Sequence, residues 1–374
     1  MRSTSGEYFI ALDHVRVLAV FMVFTWHFIH GANGYPVPFN NAALSPLSLL
    51  DEGHTGVALC MTLSGYLFAK LLDGKSMNYA AFLRNRALRL LPLLVVVILI
   101  EGIRRLVTGE NVGFYAYSIA RGIVCPFLPN GGWSITVEFH YYIVLPLLLW
   151  MLRNSAWLPM SIIAAAIALR TVIYCEAGEI QRLAFWTLAG RIDQFALGML
   201  LYQVRTSVAH RHALAIAVFA GFTTFYGYFD LQGGFFKNPS YPSSSPIWIL
   251  LPTIEGMAYA TLIAWYDNSF CPAATGVSRF IGRIGEYSYS IFLLHFFVVF
   301  HISGFVNERI MDISNIYVAC LWSTFMFLLM MPVAYLSFRY IETPFLKQRR
   351  RYMMNALVRR HPVRESVWSA NASS

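Results

Sequence analysis

Apolar stretches of about twenty residues recur along this chain, separated by short polar or charged segments. A helix of that length crosses the ~30 Å hydrocarbon core of a bilayer. About ten spans are read, at roughly 10–30, 55–73, 87–104, 133–152, 157–174, 184–203, 211–229, 246–266, 284–305 and 314–340. The fifth and sixth are interrupted by Arg170, Arg191 and Asp193. The pattern predicts an all-α fold, a polytopic integral membrane helical bundle. Most arginines and lysines outside the spans lie in segments on the N-terminal side, which predicts that both termini are cytoplasmic. Residues 1–346 read as one transmembrane domain. Residues 347–374 hold RRR and RR runs without apolar periodicity, and read as a basic cytoplasmic tail against anionic headgroups.

Composition narrows the class. The chain has 374 residues, 57% hydrophobic and 13% charged, with a mean hydropathy of +0.54. Soluble domains carry about 25% charged residues, so a soluble protein is excluded. The first apolar stretch is too long for a cleavable signal peptide and contains Arg16 and His27. The five cysteines are scattered without metal or disulfide spacing, so no metal is expected. A net charge of +9 would suggest nucleic acid in a soluble chain. Here the charge gathers at span ends, which fits membrane orientation and no nucleic-acid partner.

Ionisable residues inside the spans carry the candidate chemistry, because burying them in a membrane is costly. Arg16 and His27 lie eleven residues apart in LDHVRVLAVFMVFTWHFIH. Eleven helical residues make about three turns and rise ~16 Å, so the two side chains share a face. Asp13, three residues before Arg16, is placed to hold the guanidinium. His27 falls within about a turn of the outer end, where an imidazole suits a general base toward a hydroxyl. In FLRNRALRLLP, Arg84, Arg86 and Arg89 form a triplet. Arg86 and Arg89 share a helix face, and guanidinium forks suit phosphate, although orientation alone also places arginines here. In GGWSITVEFHYY, Glu138 is reckoned ~7 Å below Trp133, at the depth of His27, where with Ser134 it suits a sugar. Ser64 in GVALCMTLSGYL is a further substrate candidate, with Gly65 allowing close helix approach. His295 falls ~14 Å into the ninth span, and Glu342 is placed to pair with a cytoplasmic arginine. His30 and His54 are expected to be solvated near the outer surface.

In this order, ALDHVRVLAVFMVFTWHF, GVALCMTLSGYL, FLRNRALRLLP, GGWSITVEFHYYIVLPLL, GEYSYSIFLLHFF and IETPF resemble the acyltransferase-3 family of membrane-bound acyltransferases. The matches run from residue 8 to residue 346. The resemblance implies transfer of an acyl group, usually acetyl, from cytoplasmic acyl-CoA (acetyl-CoA) to a carbohydrate hydroxyl at the outer face. It implies Arg16 and His27 as the essential pair, Arg86 and Arg89 at the nucleotide end of the donor, and Trp133, Ser134 and Glu138 as motif residues. His27 is then general base or transient acyl carrier. Ala58 stands where relatives often have an acidic residue, and Phe139 and His140 replace a carboxylate and a glutamine. Longer relatives carry an extracytoplasmic esterase-like domain, so here transfer either ends at the membrane or passes to a separate extracytoplasmic partner. The expected setting is a bacterial cytoplasmic (inner) membrane, with membrane lipids around the chain and a glycan or lipid-linked sugar as acceptor. The rival is a transporter or flippase for such a molecule, which would favour inverted repeats or paired broken helices that the sequence does not display.

Overall fold

The computed structural model describes residues 9–31, 46–126, 128, 130–155 and 157–355. Its main helices are α1 (Ile10–His30), α2 (Gly56–Leu72), α3 (Tyr79–Val107), α4 (Gly132–Asn154), α5 (Trp157–Ala177) and α6 (Leu188–Gln203). Then follow α7 (His212–Leu231), α8 (Ile247–Ser269), α9 (Ser288–Leu294), α10 (Val299–Arg309) and α11 (Ile316–Ser337). Among the described residues, seven helical stretches are long and apolar enough to cross a membrane, and an eighth if the pair around Val298, bent by 58°, counts as one. The other two expected spans are helices of a different kind. α3 has the length but carries Arg84, Arg86, Arg89, Glu101, Arg104 and Arg105. α6 has 16 residues, with Arg191 and Asp193 buried in it.

The centre of the bundle is α2, with 78% of its apolar window enclosed, whereas α5 encloses only 17%. The exposed Trp157, Met160, Leu169 and Val172 of α5 suit a lipid-facing side. Small residues set the packing of α2 on α6. A Cβ on Gly65 would overlap the backbone of Phe195, and one on Gly198 would lie 2.8 Å from the Tyr66 amide nitrogen.

The charges that interrupt the fifth and sixth spans tie helices together. Arg170 donates from Nη2 to Asp193 Oδ2 at 2.7 Å and to Thr253 Oγ1 at 2.8 Å, with all of its side chain buried. Arg191 donates to Gln194, whose Nε2 donates to Glu255 Oε2 at 2.9 Å, and the Tyr226 hydroxyl donates to the other Glu255 oxygen at 2.6 Å. Buried ions are tolerated when paired and fully hydrogen-bonded.

At the Arg16 end, the first residues of the segment read as a basic tail fold onto the bundle. Strand β1 (Lys75–Met77) pairs antiparallel with β2 (Met353–Asn355), and Tyr352 is buried. Residues 356–374 lie outside the described residues. A π-helical turn, Phe338–Glu342, follows α11 and leaves Glu342 fully buried.

Candidate active site

α1 presents Arg16 and His27 at opposite ends of one face, as the spacing requires, and Arg16 is ion-paired with Asp13. His27 Nδ1 lies 2.9 Å from the Val23 carbonyl oxygen, one turn back, and 3.2 Å from His295 Nε2, which is 268 residues away in sequence. His295 Nδ1 in turn lies 3.2 Å from the Ile291 carbonyl oxygen. A carbonyl only accepts, so these partners assign the tautomers. His295 carries its proton on Nδ1 and offers a bare Nε2. His27 then carries its proton on Nδ1, shared between Val23 and His295. Its Nε2 is left with a free lone pair, and that atom has no protein partner among the described residues. Phe296 packs edge-on against the ring at 4.5 Å, so the bend after α9 delivers both His295 and this wall.

Three chambers lie in file along α1. The outer one, about 1070 Å³, is lined by His27, His30, His54 and an aromatic wall that includes Trp26, Trp133, Trp186, Phe235 and Phe236. The middle one, about 150 Å³, is lined by Arg16, Ser64, Arg89, Ser134 and Glu138. The inner one, about 110 Å³, holds Asp13, Arg16, Arg86, Arg89, Glu138 and Arg349. Val23, Val57 and Phe292 border both the outer and middle chambers. Arg16, Ser64, Arg89 and Glu138 border both the middle and inner ones. The chamber of Arg16, Arg86, Arg89 and Arg349 and the chamber of His27 thus lie at opposite ends of the file, with apolar Val23, Val57 and Phe292 between the middle and outer chambers. Arg121 and Arg182 also line the outer one.

Several expected placements change. Glu138 does not stand at the depth of His27: it lines the two chambers that hold Arg16 and Arg89, and accepts a hydrogen bond from Tyr142. Trp133 itself lines the chamber of His27, packed against Trp186 and Phe185, so Glu138, five residues further along α4, falls beyond it. Arg84 parts from its neighbours and donates to the Gln348 carbonyl at 3.2 Å. Ser134 donates to the Gly131 carbonyl at 2.9 Å while lining the middle chamber, and Ser64 lines the middle and inner ones. His30 and His54, expected to be solvated, are 4% and 1% exposed. His54, in the short turn Gly53–Thr55, is buried against Phe185, Tyr226, Phe235 and Trp248. This turn and Ser48–Asp51 bring Asp51 to 3.4 Å from His30 and Glu52 to 3.1 Å from His54. Burial, then the Asp230 and Glu52 carboxylates, hold the Asp51 carboxyl well above the usual carboxylate range. Burial pushes Glu52 up to about 8. Glu342 accepts from Ser290 at 2.5 Å, and its carboxylate is one of the charges that act on Arg89. Ala58 is core, and Phe139 packs edge-on against Tyr142.

Sequence pattern singled out His295 without its partner, and passed over Tyr142 and Arg349. His295 and Arg349 take their places from contacts distant in sequence, whereas Tyr142 stands one helical turn from Glu138.

A family model described as an acyltransferase domain matches residues 9–339. A chain from Komagataeibacter xylinus that carries the provisional name membrane-bound transacylase BcsY is 25% identical over 279 residues, which cover 66% of each chain. No solved structure matches.

Proposed function

Because the chain belongs to the acyltransferase-3 family and is a multi-pass membrane acyltransferase, we propose that it moves an acetyl group from acyl-CoA to a hydroxyl of an envelope or exported carbohydrate. Acyl-CoA is a substrate here. Its phosphates meet Arg86, Arg89 and Arg16 from the cytoplasm, and its neutral thioester reaches past Val23, Val57 and Phe292 toward His27. The acceptor sugar occupies the outer chamber, among Trp133, Trp186 and Phe236. Ser64, Ser134 and Glu138 then flank the donor's path, not the sugar.

His27 acts through its bare Nε2. In one route it removes the hydroxyl proton while the hydroxyl oxygen displaces the CoA thiolate, which takes that proton back from the imidazolium. In the other, Nε2 attacks the carbonyl carbon, carries the acyl group and passes it to the hydroxyl oxygen, whose proton ends on the thiolate. Both routes need the tautomer that Val23 and His295 impose, and in both the positive ring that forms donates to the same two acceptors.

The observation that carries this reading is the file of chambers, with arginines at one end and the base at the other. Its test is acyl transfer from radiolabelled acetyl-CoA to envelope glycan by purified protein. His27→Ala is expected to lower the rate about a hundredfold or more with expression and donor binding retained. Near-normal transfer by that variant contradicts the reading.

A further inference from the structure

The inner chamber has a wall that comes from beyond the family match. The match ends at residue 339, yet Arg349 and Tyr352 line this chamber together with Arg16, Arg86 and Arg89. The segment that carries them is held at several points. Asn85 Nδ2 donates to the Arg350 carbonyl at 2.6 Å, and the Arg350 amide donates back to Asn85 Oδ1 at 3.0 Å. Arg84 donates to the Gln348 carbonyl, and the Asn78 amide donates to the Tyr352 carbonyl at 2.8 Å. Tyr352 is 1% exposed and packs edge-on against Phe82, and the β1–β2 ladder closes the segment. Asn85 and Arg84 lie on the same turns of α3 as Arg86. Fixing the segment therefore also fixes where Arg349 stands relative to Arg86.

Charge gives this wall a purpose. Among the described residues, four arginines and two carboxylates, Asp13 and Glu138, line the chamber, and Glu342 acts on Arg89 from beside it. Arg349 lies outside the membrane spans, and burial, then the nearby Arg86 guanidinium, lower its pKa. Gathering like charges in a partly enclosed cavity is unfavourable unless an anion completes it. Arg86 and Arg349 line only the inner chamber, whereas Arg16 and Arg89 reach the middle one as well. They are therefore farther from the reacting atoms.

We propose that residues 347–355 are a structural part of the donor site, and that Arg349 binds a phosphate at the nucleotide end of acyl-CoA beside Arg86. This rests on the donor-side reading above. It makes the membrane-proximal end of the basic tail a piece of the enzyme rather than a headgroup anchor.

The test is calorimetric binding of coenzyme A to the full-length protein in detergent, with thermal unfolding measured alongside. Arg349→Ala is expected to weaken binding about tenfold or more, the scale of one charge-assisted phosphate contact. Arg349→Lys is expected to recover only part of it, because an ammonium lacks the planar fork. Asn85→Ala keeps every arginine but loosens the segment, and a smaller loss is expected. Wild-type affinity in Arg349→Ala alongside a large loss in Arg86→Ala overturns the role of Arg349 and leaves the donor site standing. Wild-type affinity in Arg86→Ala, Arg89→Ala and Arg349→Ala alike overturns the donor-side reading itself. Equal losses with alanine and lysine, accompanied by a fall in unfolding temperature, reduce Arg349 to a strut and overturn the proposal.

Discussion

Replacing His295 by leucine removes one acceptor from His27 and little volume. The Nδ1–H of His27 then keeps the Val23 carbonyl and loses the ring nitrogen 3.2 Å away. A neutral buried hydrogen bond is worth about 0.5–1.5 kcal/mol net, and each 1.36 kcal/mol is a factor of ten in rate. If that free energy is the preference for the productive tautomer, kcat falls by about twofold to tenfold. This is far less than the hundredfold or more expected when the base itself is removed. Donor KM should not move, since the nearest donor-side arginine on α1, Arg16, lies ~16 Å along the helix. His295→Gln restores an acceptor oxygen and should recover most of the rate. The assay is steady-state acyl transfer with donor and acceptor varied separately. Wild-type kcat in His295→Leu refutes the tautomer argument. Loss as deep as in His27→Ala refutes it in the other direction, by making His295 itself the base.

Glu138→Gln should disturb donor KM as well as kcat, because the carboxylate lines the chambers of Arg16 and Arg89 and not that of His27. An effect confined to acceptor KM would refute that placement. Arg86→Ala and Arg89→Ala should each raise donor KM about tenfold or more, with lysine recovering only part. Asp51 and Glu52 give a stability test. Both hold protons in the folded state at pH values where the unfolded chain has lost them, so their contribution is complete below the ordinary carboxylate pKa and is lost as pH rises through about 8. The unfolding temperature should therefore fall as pH rises from about 5 to about 8. Glu52→Gln, which retains an acceptor for the Phe235 amide, should flatten that fall. An unchanged slope would refute it.

Much of this site was legible in the chain because it depends on helical periodicity. The eleven-residue spacing of Arg16 and His27 places both on one face whatever surrounds them, and Arg86 with Arg89 follows the same rule. Motif order was enough to separate the enzyme from a transporter, and the family match agrees. Depth was less legible. Glu138 was measured from Trp133 as if that ring lay at the membrane surface, but Trp133 lines the chamber of His27 and Glu138 comes more than a turn beyond it. His30 and His54 looked solvated because nothing in the pattern announces that residues 48–55 fold against α1, or that Phe185, Tyr226, Phe235 and Trp248 close around His54. The pairing of His295 with His27 and of β1 with β2 joins segments more than 260 residues apart. The bend after α9 has neither proline nor glycine to mark it. Such features belong to tertiary packing, not to local pattern.

The central claim is that an acyl group crosses from the arginine end of the chambers to the histidine end. Proteoliposomes of known orientation, carrying acceptor glycan on the His27 side and supplied with radiolabelled acetyl-CoA on one side only, test it directly. Donor on the Arg16 side should label the glycan, His27→Ala should abolish that labelling, and donor on the His27 side should give none. Equal labelling from either side would contradict the account.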